Sequence, residues 1–429
     1  MSDVAAPAPT EPSNTVVAEA RHRIGLVCSA YAAGQSGQSI VLDALTRSPH
    51  EIVLISLLAG PGLVDLSGHF AQTIIMPPES GYFYVGGGPN SSMDETLLGK
   101  AVVLNRFGGM MKSMSLRSEE LACQLRSRNL TAIIGCSGYS LDLPLASELA
   151  QKLGVAFIAY LFDDPVFQWT DERLERPFAL LMESLWAPRA AKILAPNEEL
   201  CSEVHARNQH LGIVPPIVIR NATEAGLDIP AEAGLARGPD EPWIIVYTGS
   251  VYHAQADAFR NLVEALDWID DPWEIHVASH QNEEALARNG LVGPHVRMRG
   301  RLSHADTIAL QQQADVLFLP LAFEVIPEVI RTSAPLKTGE YLASGRPILV
   351  HAPEHSWLSR FFRQRNCGIV VDRPDVAQLA AALLRLRKDE SLRGRLAARQ
   401  RNVAGEFTLE ASYRAFWSVI DGVAGGAGQ

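Results

Sequence analysis

The sequence predicts an α/β protein of two Rossmann-like domains facing a central cleft, and three observations predict it. Short apolar runs of strand length recur along the chain, segments with helical spacing separate them, and one polar, Gly- and Pro-bearing stretch divides the series in two. Runs that are apolar throughout belong to parallel strands covered on both faces. At 429 residues the chain is too long for one core and suits two domains.

Residues 1–20, "MSDVAAPAPTEPSNTVVAEA", are acidic, rich in Pro and Ala and lack an apolar core, so they read as a disordered tail and not as a signal peptide. The first domain, 21–222, carries strand-like runs at 24–28, 52–58, 131–135, 156–161, 192–195 and 217–220. Helical patterns lie between several of them, at 39–47, 118–128 and 143–154. The region 60–115 is rich in Gly, Pro, Ser and Met and reads as long functional loops or a locally disordered insertion. Within the polar stretch 221–242, residues 223–241 form the expected linker. The second domain, 242–407, resumes the strand pattern at 243–247, 274–278, 295–300, 315–320, 346–352 and 368–372. The last amphipathic segment, 408–423, is a helix placed to cross back to the first domain.

A net charge of −11 argues against nucleic acid as a partner. Cys28, Cys123, Cys136, Cys201 and Cys367 are odd in number and scattered, which indicates neither a disulfide framework nor a zinc site and fits a cytoplasmic chain. No stretch reaches the roughly 18 apolar residues that span a bilayer, so a membrane role would be peripheral. The stretch "RFGGMMKSMSLR" (106–117), with Arg106, Lys112 and Arg117 among Met and Phe, reads either as a lipid-facing surface or as a core segment.

In open parallel sheets ligands sit beyond the C-terminal ends of the strands, so the loops there hold the candidate site. After the first strand, Gly34, Gln35, Ser36 and Gly37 lead into a helix N-terminus and allow close backbone approach on the acceptor side. Gly249 and Ser250 hold the equivalent position in the second domain. Asp163 and Asp164, in "FDDP", are either a capping turn or cleft carboxylates that contact an acceptor hydroxyl. In "PLKTGEYLASGRP" (335–347), Pro335 starts a helix that Gly345 closes and Pro347 stops, and Lys337 and Glu340 share a face. They are either a surface ion pair or, at a ligand-bearing strand end, a lysine for a diphosphate and a carboxylate for a ribose, with Thr338 beside them.

"GRLSHADTIALQQQADVLFLPL" followed by "PLKTGEYLASGRPILVHAP" resembles the donor half of GT-B glycosyltransferases, and in particular retaining glycosyltransferase family 4. The resemblance is best over 243–420, weaker over 22–220 and absent from the tails. It implies that Glu340 binds the nucleotide ribose and that Arg299, Gly300 and Arg301 contact the base. The family's cations after the first donor-domain strand are missing here, and Thr332 stands where many members carry another glutamate, so Arg331 and Lys337 are expected to hold the diphosphate. The resemblance implies a sugar transfer from a nucleotide sugar to a hydroxyl acceptor, lipid-linked or a growing glycan, with retention and with neither metal nor cofactor. The "P.K" arrangement is similar to that of cell-surface polysaccharide enzymes. Lys337, Asp163 and Asp164 are the candidate catalytic residues. A sugar-nucleotide epimerase or hydrolase, or a non-catalytic nucleotide-sugar-binding partner, would share the architecture.

Overall fold

The computed structural model describes residues 22–29, 31, 37–47, 50–57, 70–76, 97–167, 175–221, 237–238 and 240–424. The expected tail, most of the expected linker, and Gly34, Gln35 and Ser36 lie outside the described residues. The first part of the chain runs β1 (Arg23–Val27), α1 (Gly37–Thr46), β2 (Glu51–Ser56), β3 (Gln72–Ile75), α2 (Leu97–Leu125), β4 (Ala132–Cys136), α3 (Asp142–Leu153), β5 (Ala156–Tyr160), α4 (Glu175–Trp186), β6 (Lys192–Ala195), α5 (Glu198–Asn208) and β7 (Ile217–Val218). Its strands form a seven-stranded sheet in the order β3-β2-β1-β4-β5-β6-β7. Every pairing is parallel.

The second part runs β8 (Trp243–Thr248), α6 (Ala256–Asp267), β9 (Trp273–Ala278), α7 (Glu283–Arg288), β10 (Val296–Gly300), α8 (His304–Gln312), β11 (Val316–Pro320), α9 (Pro327–Arg331), α10 (Lys337–Ser344), β12 (Ile348–His351), α11 (Trp357–Arg365), β13 (Ile369–Val371), α12 (Val376–Lys388), α13 (Glu390–Ala404) and α14 (Leu409–Ala424). Its six strands are again all parallel, ordered β10-β9-β8-β11-β12-β13. In each sheet the order reverses beside the first strand, between β1 and β4 and between β8 and β11. Connections diverge to opposite sides at such a point and leave a crevice.

The apolar runs become strands because both sheet faces are covered. Ile133, Phe157, Leu149 and Met182 pack on one face of the first sheet, while Leu26, Ile134 and Ile158 join a cluster on the other. The second sheet is likewise covered by separate clusters around Phe259 and Phe318 and around Tyr341 and Leu358.

Part of the region 60–115 differs from the expected loop. It contains β3 and the start of a 29-residue helix, α2, which reaches Leu125 where a helix over 118–128 is expected. Each glycine in a helix interior costs about 1 kcal/mol relative to alanine, which is why Gly108 and Gly109 argue against a helix in the sequence. Tertiary burial overrides that cost: Phe107, Met110 and Met114 are buried, at about 1.5–3 kcal/mol for each large apolar side chain, and Phe107 stacks on Phe178 at 4.1 Å. Of the two readings of 106–117, the core segment is therefore the observed one. Arg117 turns inward, donating to the Met76 carbonyl and to Ser113 Oγ. No helix among the described residues is long and apolar enough to cross a membrane.

The final helix, α14, packs on the first sheet. Phe416, Trp417 and Ile420 are buried in the cluster that includes Leu26, Leu42 and Tyr160, and Trp417 Nε1 donates to the Leu45 carbonyl at 3.0 Å. Trp417→Ala is expected to remove about 3–5 kcal/mol of stability from the first domain. Urea unfolding followed by circular dichroism measures this, and an unchanged midpoint would contradict the docking of α14.

Candidate functional site

Lys337 opens α10, whose N-terminus faces the crevice between β8 and β11. Its Nζ donates to Tyr247 Oη at 3.1 Å and stands 4.5 Å from the centre of that ring. Tyr247, the next-to-last residue of β8, is fully buried, and its hydroxyl donates to the Ser250 carbonyl at 2.7 Å. Gly249 sits between them with φ +115°, and a Cβ there would lie 3.2 Å from Lys337 Nζ. The position suits glycine for both conformation and space. The ammonium is thus pinned against the C-terminal end of β8.

Glu340 turns elsewhere. Its Oε2 accepts from Gln311 Nε2 at 2.9 Å, and the same nitrogen donates to Thr248 Oγ1 at 3.0 Å. Thr248 N–H donates to Tyr341 Oη at 3.1 Å, so a buried polar chain links β8, α8 and α10. Among the described residues Lys337 and Glu340 form no ion pair with each other, so the surface-pair reading does not describe this helix. Thr338 is 1% exposed and its Oγ1 has no hydrogen-bond partner among the described residues. Burial pushes the Tyr341 hydroxyl up to about 12 and raises that of Tyr247, so both stay protonated donors at neutral pH.

The other expected donor residues scatter more. Ser250 is exposed in the loop after β8. Arg299 and Gly300 end β10; Arg299 Nη2 lies 3.0 Å from His276 Nδ1, and the Gly300 carbonyl accepts from Ser279 N–H at 3.0 Å. Burial, opposed by the Glu274 carboxylate and reinforced by Arg299, lowers the His276 pKa. Arg301 is exposed and follows directly. Arg331, expected to share the diphosphate with Lys337, pairs its guanidinium with Glu203 on α5 of the first domain.

On the first domain, Gly37 begins α1, and a Cβ at Gly37 would stand 3.6 Å from Leu336, the residue before Lys337. Asp163 and Asp164 part company. Asp164 is 1% exposed; its carboxylate accepts from Val166 N–H at 2.9 Å and pairs with both terminal nitrogens of Arg207 at 3.1 Å. Arg207 also pairs with buried Glu183 at 2.7 Å. The Asp164 carboxylate thus caps the turn and braces the loop through a buried ion pair. Asp163 is half-buried, and its backbone N–H donates to Ser137 Oγ at 3.3 Å. The Tyr252 phenol, in the loop after β8, is raised by burial first and by the Asp163 carboxylate second, with the Lys337 ammonium opposing. Asp163, Tyr252 and Lys337 therefore share one electrostatic neighbourhood across the cleft.

Tyr247, Gln311, Tyr252 and Arg207 are site or bracing residues that sequence reasoning does not reach. Tyr247 reads as the last apolar residue of "WIIVY", and Gln311 sits in a Gln run that looks like a solvated helix face. The position of Tyr247 at a strand end was the available signal.

Residues 242–389 match the family described as Glycosyl transferases group 1. No curated protein sequence matches the chain. Among solved structures, sucrose-phosphate synthase from Thermosynechococcus elongatus superposes with a TM-score of 0.63 at 16% identity, over 93% of this chain and 98% of that one. The trehalose 6-phosphate synthase of Burkholderia multivorans gives 0.63 at 14% identity, over 95% and 100%. HepE from Anabaena, in complex with UDP-glucose, gives 0.62 at 10% identity, over 94% and 100%. With the two parallel sheets, these likenesses show the GT-B fold.

Breaking a buried pair by removing one partner costs about 3–5 kcal/mol. Asp164→Ala is therefore expected to lower stability by about that amount, and Asp163→Ala, at a half-buried site outside the Arg207 pair, by less. Urea unfolding midpoints compare the two, and equal losses would overturn the division of roles.

Proposed function

We propose that this GT-B chain is a glycosyltransferase that moves a sugar from a nucleoside diphosphate sugar to a hydroxyl acceptor. The observation that carries the reading is the Lys337 ammonium, held at the switch point between β8 and β11 by Tyr247, with Glu340 one turn further along the same helix. Ligands of open parallel sheets bind at that point. The family match over 242–389 supports the same reading.

Transfer breaks the bond between the anomeric carbon and the diphosphate oxygen, and the electron pair stays on the diphosphate. The acceptor oxygen bonds to that carbon as its proton passes to the departing phosphate oxygen, a course in keeping with retention, which rests on the resemblance to family 4. Negative charge grows on the leaving group, so a preorganised ammonium at a helix N-terminus contributes more to the transition state than to the ground state. Lys337 supplies that charge. Glu340 accepts from the ribose hydroxyls while Gln311 holds its other oxygen in place. Arg299, Gly300 and Arg301 line the base, Thr338 Oγ1 faces a partner that the bound donor supplies, and Gly249 and Ser250 give room for the diphosphate. Asp163 and Gly37 face the acceptor hydroxyl. A uridine diphosphate sugar is the donor class to try first, because HepE has the same fold and is seen with UDP-glucose.

Lys337→Ala is expected to lower the transfer rate at saturating donor by about 10²–10³, the usual effect of losing one preorganised electrostatic donor. Steady-state transfer on a panel of nucleotide sugars measures it, and a rate within a few-fold of the parent would return the lysine to a structural role. Glu340→Ala is expected to act on binding: losing a charged hydrogen bond costs about 1.5–3 kcal/mol, roughly a tenfold or greater loss of nucleotide affinity. Calorimetric titration showing parental affinity in a folded Glu340→Ala protein would remove the ribose contact.

A further inference from the structure

We propose that Asn197, on the first domain, is a positioning residue for Lys337 that acts through the segment 331–336. This rests on the role of Lys337 stated above. The segment belongs to the second domain by sequence, joining α9 to α10, yet first-domain residues hold it at successive points. Arg331 pairs with Glu203, the Thr332 carbonyl accepts from Asn197 Nδ2 at 2.8 Å, and the Ala334 carbonyl accepts from Asn221 Nδ2 at 3.0 Å. Leu336 then packs against the first-domain cluster, beside Gly37.

Asn197 is the most deeply set of these contacts. It is 0% exposed, and Thr332 is 4% exposed. Its Oδ1 caps α5 by accepting from Leu200 N–H at 2.8 Å, which fixes the amide orientation and turns Nδ2 to the Thr332 carbonyl. Both ends of the side chain are therefore satisfied, one within each domain.

Displacement of the segment would reach Lys337 directly. The first turn of α10 is bonded back onto it, Thr338 N–H to the Pro335 carbonyl at 3.0 Å and Gly339 N–H to the Leu336 carbonyl at 3.3 Å. The backbone of the lysine is thus set from the first domain, while its ammonium is set by Tyr247 of the second. Small errors in the placement of a charged group cost rate, and a shift of about 1 Å is enough for roughly 100-fold.

Asn197→Asp separates the two duties of the side chain. Aspartate caps a helix as well as asparagine does, but it carries no N–H and sets a carboxylate against the Thr332 carbonyl. Asn197→Ser also keeps the cap, without the charge and without the reach. Both proteins are expected to retain the parental circular dichroism spectrum and to lose about 10-fold to 100-fold in transfer rate at saturating donor. Because the effect runs through the lysine, Asn197→Asp combined with Lys337→Ala is expected to transfer at the rate of Lys337→Ala alone, a non-additivity that a merely structural role would not produce. A slow Lys337→Ala beside parental Asn197→Asp and Asn197→Ser proteins overturns this proposal alone, as do losses that multiply in the double variant. A parental rate for Lys337→Ala overturns the role of the lysine itself and this proposal with it.

Discussion

The contact between the Lys337 ammonium and the Tyr247 ring is the interaction on which the account of this protein depends. A cation over an aromatic face gains about 0.5–2 kcal/mol, more as it is desolvated, and here the hydroxyl of the same ring also accepts a hydrogen bond from it. Tyr247 is itself fixed, buried at the end of β8 with Phe259 edge-on at 4.9 Å. A lysine so held cannot wander over the surface. Its charge stands in a half-open crevice, and the acidic group nearest in sequence, Glu340, is engaged by Gln311 and not by the lysine. An anionic ligand is the partner such a charge suits best.

The fold explains why these groups meet. Parallel order β10-β9-β8-β11-β12-β13 makes β8 and β11 neighbours although 67 residues separate the end of one from the start of the other, and their following loops open on the same edge of the sheet. The loop after β8 brings Gly249, Ser250 and Tyr252; the connection after β11 brings Lys337 and Glu340. The first sheet repeats the arrangement and turns its own strand ends, with Asp163 and Gly37, toward the same cleft. Buried pairs such as Asp164–Arg207–Glu183 hold those loops in place.

Much of this architecture was legible in the residues. Fully apolar runs such as "DVLFLP" and "KILA" mark strands covered on both faces, and Pro335 and Gly345 bracket the lysine helix. The placement of Lys337 and Glu340 on one short helix followed from the same reasoning. What the residues could not carry was side-chain direction. Asp163 and Asp164 are adjacent and alike, yet only Asp164 meets Arg207, a residue 43 positions away. Nothing local to Arg331 shows that Glu203 reaches it from the other domain. The Gly-containing start of α2 looked like loop because its helix depends on Phe178 and other distant partners. Local propensity is a weak guide wherever long-range packing decides the outcome.

The most direct test of the account is a crystal structure of the chain with an unreactive uridine diphosphate sugar analogue. The account predicts the diphosphate within hydrogen-bond distance of Lys337 Nζ at the N-terminus of α10, the ribose hydroxyls on the Glu340 carboxylate, and Tyr247 still beneath the lysine. A nucleotide bound away from the β8–β11 switch point, or one whose diphosphate leaves Lys337 on Tyr247 without contact, would contradict it.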